Sequence, residues 1–102
     1  MIKVKIICEI NIAEMELDKE KLSTLNKLGT LTFQRWIEVP ILFDGLMVRF
    51  GEDKIPLKFI EYMIEENIFM VKVVSTQIGK TWEIESHLIK NQMVRNGWEV
   101  LL

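Results

Sequence analysis

The chain has few of the residues that form disulfides or bind metal ions. Its 102 residues include one cysteine and one histidine. A single cysteine cannot form a disulfide within the chain, so a disulfide-stabilised secreted domain is excluded and a cytoplasmic location is expected. Zinc sites draw mainly on histidine and cysteine, and one residue of each is too few to build such a site. The sequence therefore predicts no metal and no cofactor.

An excess of charge of one sign is also missing. Lysine and arginine number 13, aspartate and glutamate number 15, and the formal net charge is −2. Proteins that bind nucleic acid through its phosphates need clustered basic residues. Nucleic acid or a nucleotide is therefore an admissible but not a favoured partner.

Long hydrophobic runs are absent as well. In the opening residues MIKVKIICEI, the apolar positions alternate with Lys3, Lys5 and Glu9, unlike the continuous apolar core of a signal peptide. No stretch approaches the ~20 apolar residues of a membrane-spanning helix. We expect an unprocessed, soluble protein that does not contact a membrane.

The chain does have many apolar side chains for its size. Hydrophobic residues make up 49% of the sequence and charged residues 27%. The length fits one domain over residues 1–102, and a domain this small hides only part of so much apolar surface. We expect a partner to cover the remainder, either a second copy of the chain or another protein.

Alternation of apolar and polar residues predicts two strands in the first half of the chain. Residues 2–12 have an apolar side chain at every second position, and residues 30–39 repeat the pattern with Arg35 interrupting the apolar face. Between them, Leu22, Leu25 and Leu28 recur before Gly29. That spacing predicts a short helix.

The segment VPILFDGLMVRF, residues 39–50, has two interpretations. Asp44-Gly45 favours a two-residue hairpin turn, with Pro40 marking the edge of the sheet. Such a hairpin would make these pairs: Val39 with Phe50, Ile41 with Val48, Phe43 with Leu46, Leu42 with Met47, and Pro40 with Arg49. Alternatively, the strand ends at Val39 and residues 40–45 form a wide apolar loop.

A second hairpin is predicted from strands at residues 55–64 and 68–74, joined by a polar turn at residues 65–67. The expected pairs are Ile64 with Phe69, Tyr62 with Val71, Ile60 with Val73 and Glu61 with Lys72. Both faces of this hairpin are largely apolar. A ribbon covered on both faces belongs in the centre of a sheet.

The C-terminal part predicts one more helix. Residues 82–84 continue a strand, Ser86 is a candidate helix N-cap, and Asn96-Gly97 ends the helix before a last strand at residues 98–102. The predicted class is α+β. It has a mainly antiparallel sheet of about six strands, open or curled into a partial barrel, with one short helix in the N-terminal half and one C-terminal helix.

The candidate binding residues lie around the second strand and the segment after it, and none is predicted to be catalytic. Tryptophan and arginine are frequent at interaction hot spots, and both also stack on bases. The candidates are Arg35, Trp36, Pro40, Leu42, Asp44, Met47 and Arg49. Cys8 alternates with Ile6 and Ile10, which indicates a buried, inert thiol.

These observations favour a small non-enzymatic binding or assembly module, homo-oligomeric and of the kind found among phage or mobile-element accessory proteins. One alternative is a binder of nucleic acid or a nucleotide, with a surface made by Arg35, Trp36, Arg49 and Lys80. Another is an enzyme whose site is shared across subunits, with Asp44 or Glu38 from one copy facing His87 of another.

Overall fold

A computed structural model describes residues 1–17, 20 and 23–101. Within these ranges the strands are β1 (Ile2–Leu17), β2 (Ser23–Val39), β3 (Leu46–Phe50), β4 (Asp53–Leu57), β5 (Glu61–Met63), β6 (Ile68–Ile78) and β7 (Glu99–Val100), and the helix is α1 (Trp82–Arg95). The main sheet has five strands in the order β5-β6-β1-β2-β7, and β3 and β4 form a separate two-stranded sheet.

The long β1–β2 hairpin is the centre of the molecule. The two strands pair antiparallel from Ile2 opposite Val39 to Leu17 opposite Ser23, with a β-bulge after Ile12. One face of the hairpin is buried, as the alternation of apolar residues predicts. Its buried side chains are Val4, Ile6, Cys8, Ile10, Ile12, Leu31, Phe33 and Val39.

The prediction of a short helix before Gly29 is wrong for the described residues. Ser23–Val39 is one continuous strand, and its first part pairs with residues 13–17 of β1. A helix of this length is marginal on its own, whereas each residue added beside β1 extends an existing ladder. Leu22, which belongs to the predicted helix, lies outside the described residues.

Of the two interpretations of residues 39–50, the wide loop is correct and the hairpin is wrong. β2 stays paired with β1 up to Val39, residues 40–45 are not in a strand, and β3 pairs with β4. Pro40 cannot donate a backbone hydrogen bond, so it ends the ladder. The Gly45 N–H then donates to the Leu57 carbonyl at 2.7 Å, which fastens the loop to the end of β4.

The second predicted hairpin exists, but its register and extent differ from the prediction. β5 pairs with the beginning of β6, with Tyr62 opposite Phe69 and Glu61 opposite Met70 rather than Lys72. The Lys72 Nζ lies 3.0 Å from a carboxylate oxygen of Glu9 on β1 instead. Of the rest of the predicted first strand, residues 55–57 belong to β4 and residues 58–60 and 64 are in no strand, which leaves β5 with 3 residues.

The predicted mainly antiparallel α+β fold with two helices is therefore wrong. β6 runs parallel to β1, so the main sheet is mixed, and it is open rather than curled into a barrel. The described ranges also hold a single helix and are mostly strand. A parallel neighbour requires a connection that returns to the beginning of the first strand. β2 makes this return along β1, and residues 40–67, which contain β3, β4 and β5, lead from the end of β2 to β6.

Helix α1 ends where predicted but begins earlier. It starts after Thr81, which has an extended backbone. Glu83 and Glu85 lie in its first turn, where their negative charges interact favourably with the positive end of the helix dipole. Trp82, predicted to be in a strand, packs against Gly29 so closely that an added Cβ there would lie 2.6 Å from its ring. Gly29 therefore makes room for the helix rather than ending one.

One hydrophobic core lies between the main sheet and the two elements that cover it. Helix α1 lies against β1, β2 and β7, and the β3–β4 hairpin adds the fully buried Leu57 to the core. On the opposite face of the main sheet the described side chains other than Ala13 are exposed or half-buried. They include Lys3, Lys5, Ile7, Glu9, Asn11, Thr32, Gln34, Trp36, Met70, Lys72 and Val74.

Candidate interaction surfaces

Three of the predicted binding residues line one groove. Arg35, Trp36 and Arg49 border a groove of about 420 Å³ between β2 and β3. Arg49 is exposed, and its Nε donates to the Gly51 carbonyl at 2.7 Å. The groove is therefore partly polar, with one arginine already engaged by the turn that follows β3.

Arg35 is turned toward the core side of the sheet. It lies opposite Ile6, its guanidinium carbon is 4.2 Å from the centroid of the Phe50 ring, and Nη1 donates to the carbonyl of Asn96 at the end of α1. A cation is favourable at a helix C-terminus. Arg35 therefore links β2, β3 and α1, and this structural role accounts for its place on an apolar face.

Trp36 lies on the other face of the sheet. It is opposite Lys5, and the Nζ atoms of Lys3 and Lys5 are 5.7 and 5.6 Å from the centroid of the indole. These distances allow cation–π attraction, which is modest at an exposed site. Glu38 lies opposite Lys3, so the charge around the tryptophan is mixed.

The remaining predicted residues lie in the loop and on β3. Pro40 is exposed directly after β2, Leu42 is half-buried against the core, and Met47 is exposed on β3. A carboxylate oxygen of Asp44 accepts a hydrogen bond from the Phe59 N–H at 3.1 Å. The loop and the segment after β4 are thus held together at one end of the molecule.

Phe59 is a feature of this end that sequence reasoning missed. Its φ is 54° and its side chain is 86% exposed. A left-handed backbone is uncommon for a bulky residue and is normally marked in a sequence by glycine or asparagine. Ile41 and Phe43, in the loop tied to Phe59, are also more than half exposed, so several apolar side chains face outward here.

The outer edge of β6 is the second feature that sequence reasoning missed. β5 pairs only with residues 68–70, and no described segment pairs with residues 71–78 on that side. The Gly79 N–H donates to the Ala13 carbonyl at 2.9 Å, so odd-numbered residues of β6 face β1. Backbone groups alternate in direction along a strand, and those of Lys72, Val74, Thr76 and Ile78 therefore point outward.

A sequence signal for this edge does exist. β6 extends over 11 residues, whereas β5, which pairs with it, has only 3, and Pro56 confines the segment before β5 to an edge strand or a bulge. The run VVSTQI itself has no proline and no charge. The largely apolar faces of the predicted hairpin at residues 55–64 and 68–74 indicate a central position in the sheet, but the length of β6 relative to β5 is the better guide.

A cleft of about 390 Å³ opens beside this edge on the core side of the sheet. Its floor includes Val73, Ser75 and Gln77 of β6, and its walls come from α1 and β4. The full lining is Cys8, Ile10, Asp53, Lys54, Ile55, Val73, Ser75, Gln77, Ile89, Gln92, Met93, Asn96 and Trp98. Since α1 lies against β1, β2 and β7, the cleft opens at β6.

The single cysteine and the single histidine lie on different elements, Cys8 on β1 and His87 on α1. Burial raises the pKa of the Cys8 thiol, and the neighbouring Glu9 carboxylate raises it further, which disfavours the reactive thiolate. His87 is exposed on α1, with its Nε2 at 3.3 Å from the Asn91 amide nitrogen. Within the described ranges, no group of histidine, cysteine, aspartate or glutamate side chains is arranged to hold a metal ion.

The described part of the chain contains no helix with the length and apolar character needed to span a membrane. Comparison of the chain with models of protein families, with curated proteins and with solved structures gave no match.

Proposed function

We propose that the chain is a small non-enzymatic assembly module that works as a homo-oligomer. The observation that carries this proposal is the open outer edge of β6, where the backbone groups of residues 72–78 that point away from β1 have no partner in the described chain. An open strand edge is a ready template for pairing with another strand.

The composition of this edge supports the proposal. Proteins that keep their edges apart use proline, charged side chains, bulges or very short strands. β6 pairs with β1 in a regular register from Phe69 to Ile78, and residues 73–78 contain neither proline nor charge. Val74 and Ile78 are both more than half exposed beside the edge, so pairing there would bury apolar surface as well.

The alternatives draw less support from the structure. A nucleic-acid binder would need Arg35 to face a ligand, but its guanidinium contacts Phe50 and the Asn96 carbonyl. For a shared enzyme site, the Asp44 carboxylate already accepts from the Phe59 N–H. The exposed apolar side chains near Phe59 are a further place where a partner protein would bind, and they add to the case for a binding module.

Light scattering coupled to size exclusion tests the proposal. We expect a mass above the 12.0 kDa of the monomer at micromolar concentration, and the monomer mass for Thr76→Pro. The Thr76 N–H points outward, so proline there removes an edge donor and leaves the β6–β1 ladder bonded. Thr76→Val is the matched control, because it keeps the N–H and should keep the wild-type mass.

A monomer mass for the wild-type chain at all accessible concentrations would contradict the proposed function. Circular dichroism of Thr76→Pro should match that of the wild type. A folded Thr76→Pro variant that keeps the wild-type mass would show that assembly uses another surface.

A further inference from the structure

We infer that the partner at the β6 edge is a second copy of the chain, whose β6 pairs antiparallel with the first about a twofold axis at Ser75. The inference rests on the proposed homo-oligomer and goes further, because it names the register and the site that the pairing builds. The two main sheets would become one continuous sheet, and the clefts beside each β6 would open onto one another.

The backbone geometry selects this register. With Ser75 opposite Ser75 of the second copy, Val74 faces Thr76 and Lys72 faces Ile78. These four residues carry the outward N–H and C=O groups, and antiparallel pairing makes each such pair exchange two hydrogen bonds. Every outward group between Lys72 and Ile78 then has a partner, and no buried donor is left unsatisfied.

Two neighbouring registers, centred at Val74 and at Thr76, also keep the core-facing side chains of both copies on the same side of the sheet. Both are less favourable than the register centred at Ser75. A centre at Val74 places Ile78 of the second copy opposite Met70, which already pairs with Glu61 of β5. A centre at Thr76 pairs Val74 with Ile78 but leaves the outward backbone groups of Lys72 without a strand partner, because β6 of the second copy ends at Ile78. Both shifts therefore satisfy fewer outward backbone groups than the centre at Ser75.

The length of the open segment also fits this register. On one side it ends at β5, which covers β6 up to Met70. On the other side it ends at Gly79, after which the chain leaves the sheet and enters α1 at Trp82. With the centre at Ser75, the second copy leaves the sheet beside the end of β5, so the gap accepts residues 72–78 without displacing a strand.

The second copy would also complete the cleft. Val73, Ser75 and Gln77 point to the core side and line the cleft at its open flank. Across the twofold axis the same three residues of the second copy extend the floor. The result is a cavity shared by both copies, with α1 and β4 of each as walls and a polar centre made by the serine and glutamine side chains.

Three single substitutions test the register: Val74→Cys, Ser75→Cys and Thr76→Cys. In an antiparallel non-hydrogen-bonded pair the Cα atoms lie about 4.5 Å apart, which falls within the range for a disulfide. With oxidised glutathione under native conditions, we expect Ser75→Cys to form a covalent dimer at least about tenfold faster than the other two variants. The native Cys8 is buried, and the wild type serves as the control for it.

Each outcome decides between the register and the proposed function. Faster cross-linking of Val74→Cys or Thr76→Cys would replace the register by one centred on that residue. If light scattering gives an oligomer but none of the three variants cross-links, the proposed homo-oligomer stands and the pairing of β6 with β6 of a second copy is wrong. If light scattering gives a monomer for wild type and for all three variants, the proposed function fails together with the inference.

Discussion

The main sheet has two edges to compare, the outer side of β2 and the outer side of β6. At the β2 edge, β7 pairs with Phe33 and Gln34, the Leu101 N–H donates to the Thr32 carbonyl at 2.9 Å, and the Gln34 amide donates to the Glu99 carboxylate at 2.8 Å. Arg35 adds a bond to the end of α1. At the β6 edge, the described chain supplies cover only over residues 68–70.

The described chain therefore covers only part of each edge, residues 32–34 of β2 and residues 68–70 of β6. The uncovered parts differ: β2 has a bulge and the charged residues Lys27, Arg35 and Glu38, which discourage pairing with another strand, whereas residues 73–78 of β6 have a regular register and no charge. The covered part of β2 contributes to folding, while the uncharged open part of β6 is suited to recognition. Substitutions at the β2 edge should therefore change stability, and substitutions at the β6 edge should change association.

The largest effect on stability is expected from Phe33→Ala. Phe33 is fully buried beside β7, and its truncation should lower the free energy of unfolding by about 3–5 kcal/mol. Val74→Ala, at the exposed β6 edge, should lower it by less than about 1 kcal/mol. Urea denaturation at a protein concentration below the onset of assembly measures both. Equal losses would contradict the distinction between the edges.

A smaller effect is expected from Arg35→Met. This change removes the bond to the Asn96 carbonyl and the contact with the Phe50 ring, and should lower the free energy of unfolding by about 1–2 kcal/mol. Arg49→Met is the matched control, since Arg49 is exposed and bonds only within its own turn. Its cost should stay below about 0.5 kcal/mol. If Arg49→Met costs as much as Arg35→Met, the assigned role of Arg35 is wrong.

The parts of the fold that could be predicted are those with a strong local pattern. Alternation identified β1 and the core face of β2, and the Asn96-Gly97 pair identified the end of α1. In each of these the local preference agrees with the final packing. The wide loop at residues 40–45 was one of two interpretations, and the pairing of β2 with β1 up to Val39 decided between them.

The parts that failed depend on contacts between distant residues. Leu25 and Leu28 have helical spacing, yet pairing with β1 places them in β2. The parallel pairing of β1 with β6 has no local signature, so the prediction of a mainly antiparallel sheet could not anticipate it. The left-handed backbone of Phe59 and the open edge of β6 both follow from where β4 and β5 end, which only the assembled sheet fixes.

The central claim, that β6 pairs through its outward backbone groups, is tested most directly by amide hydrogen exchange resolved by NMR at low and high protein concentration. The amides of Val73, Ser75 and Gln77 bond to β1 in this structure and should be protected at both concentrations. The amides of Val74, Thr76 and Ile78 should exchange freely when dilute and become protected as the chain assembles. If these three stay unprotected while the mass rises above that of the monomer, the claim is contradicted.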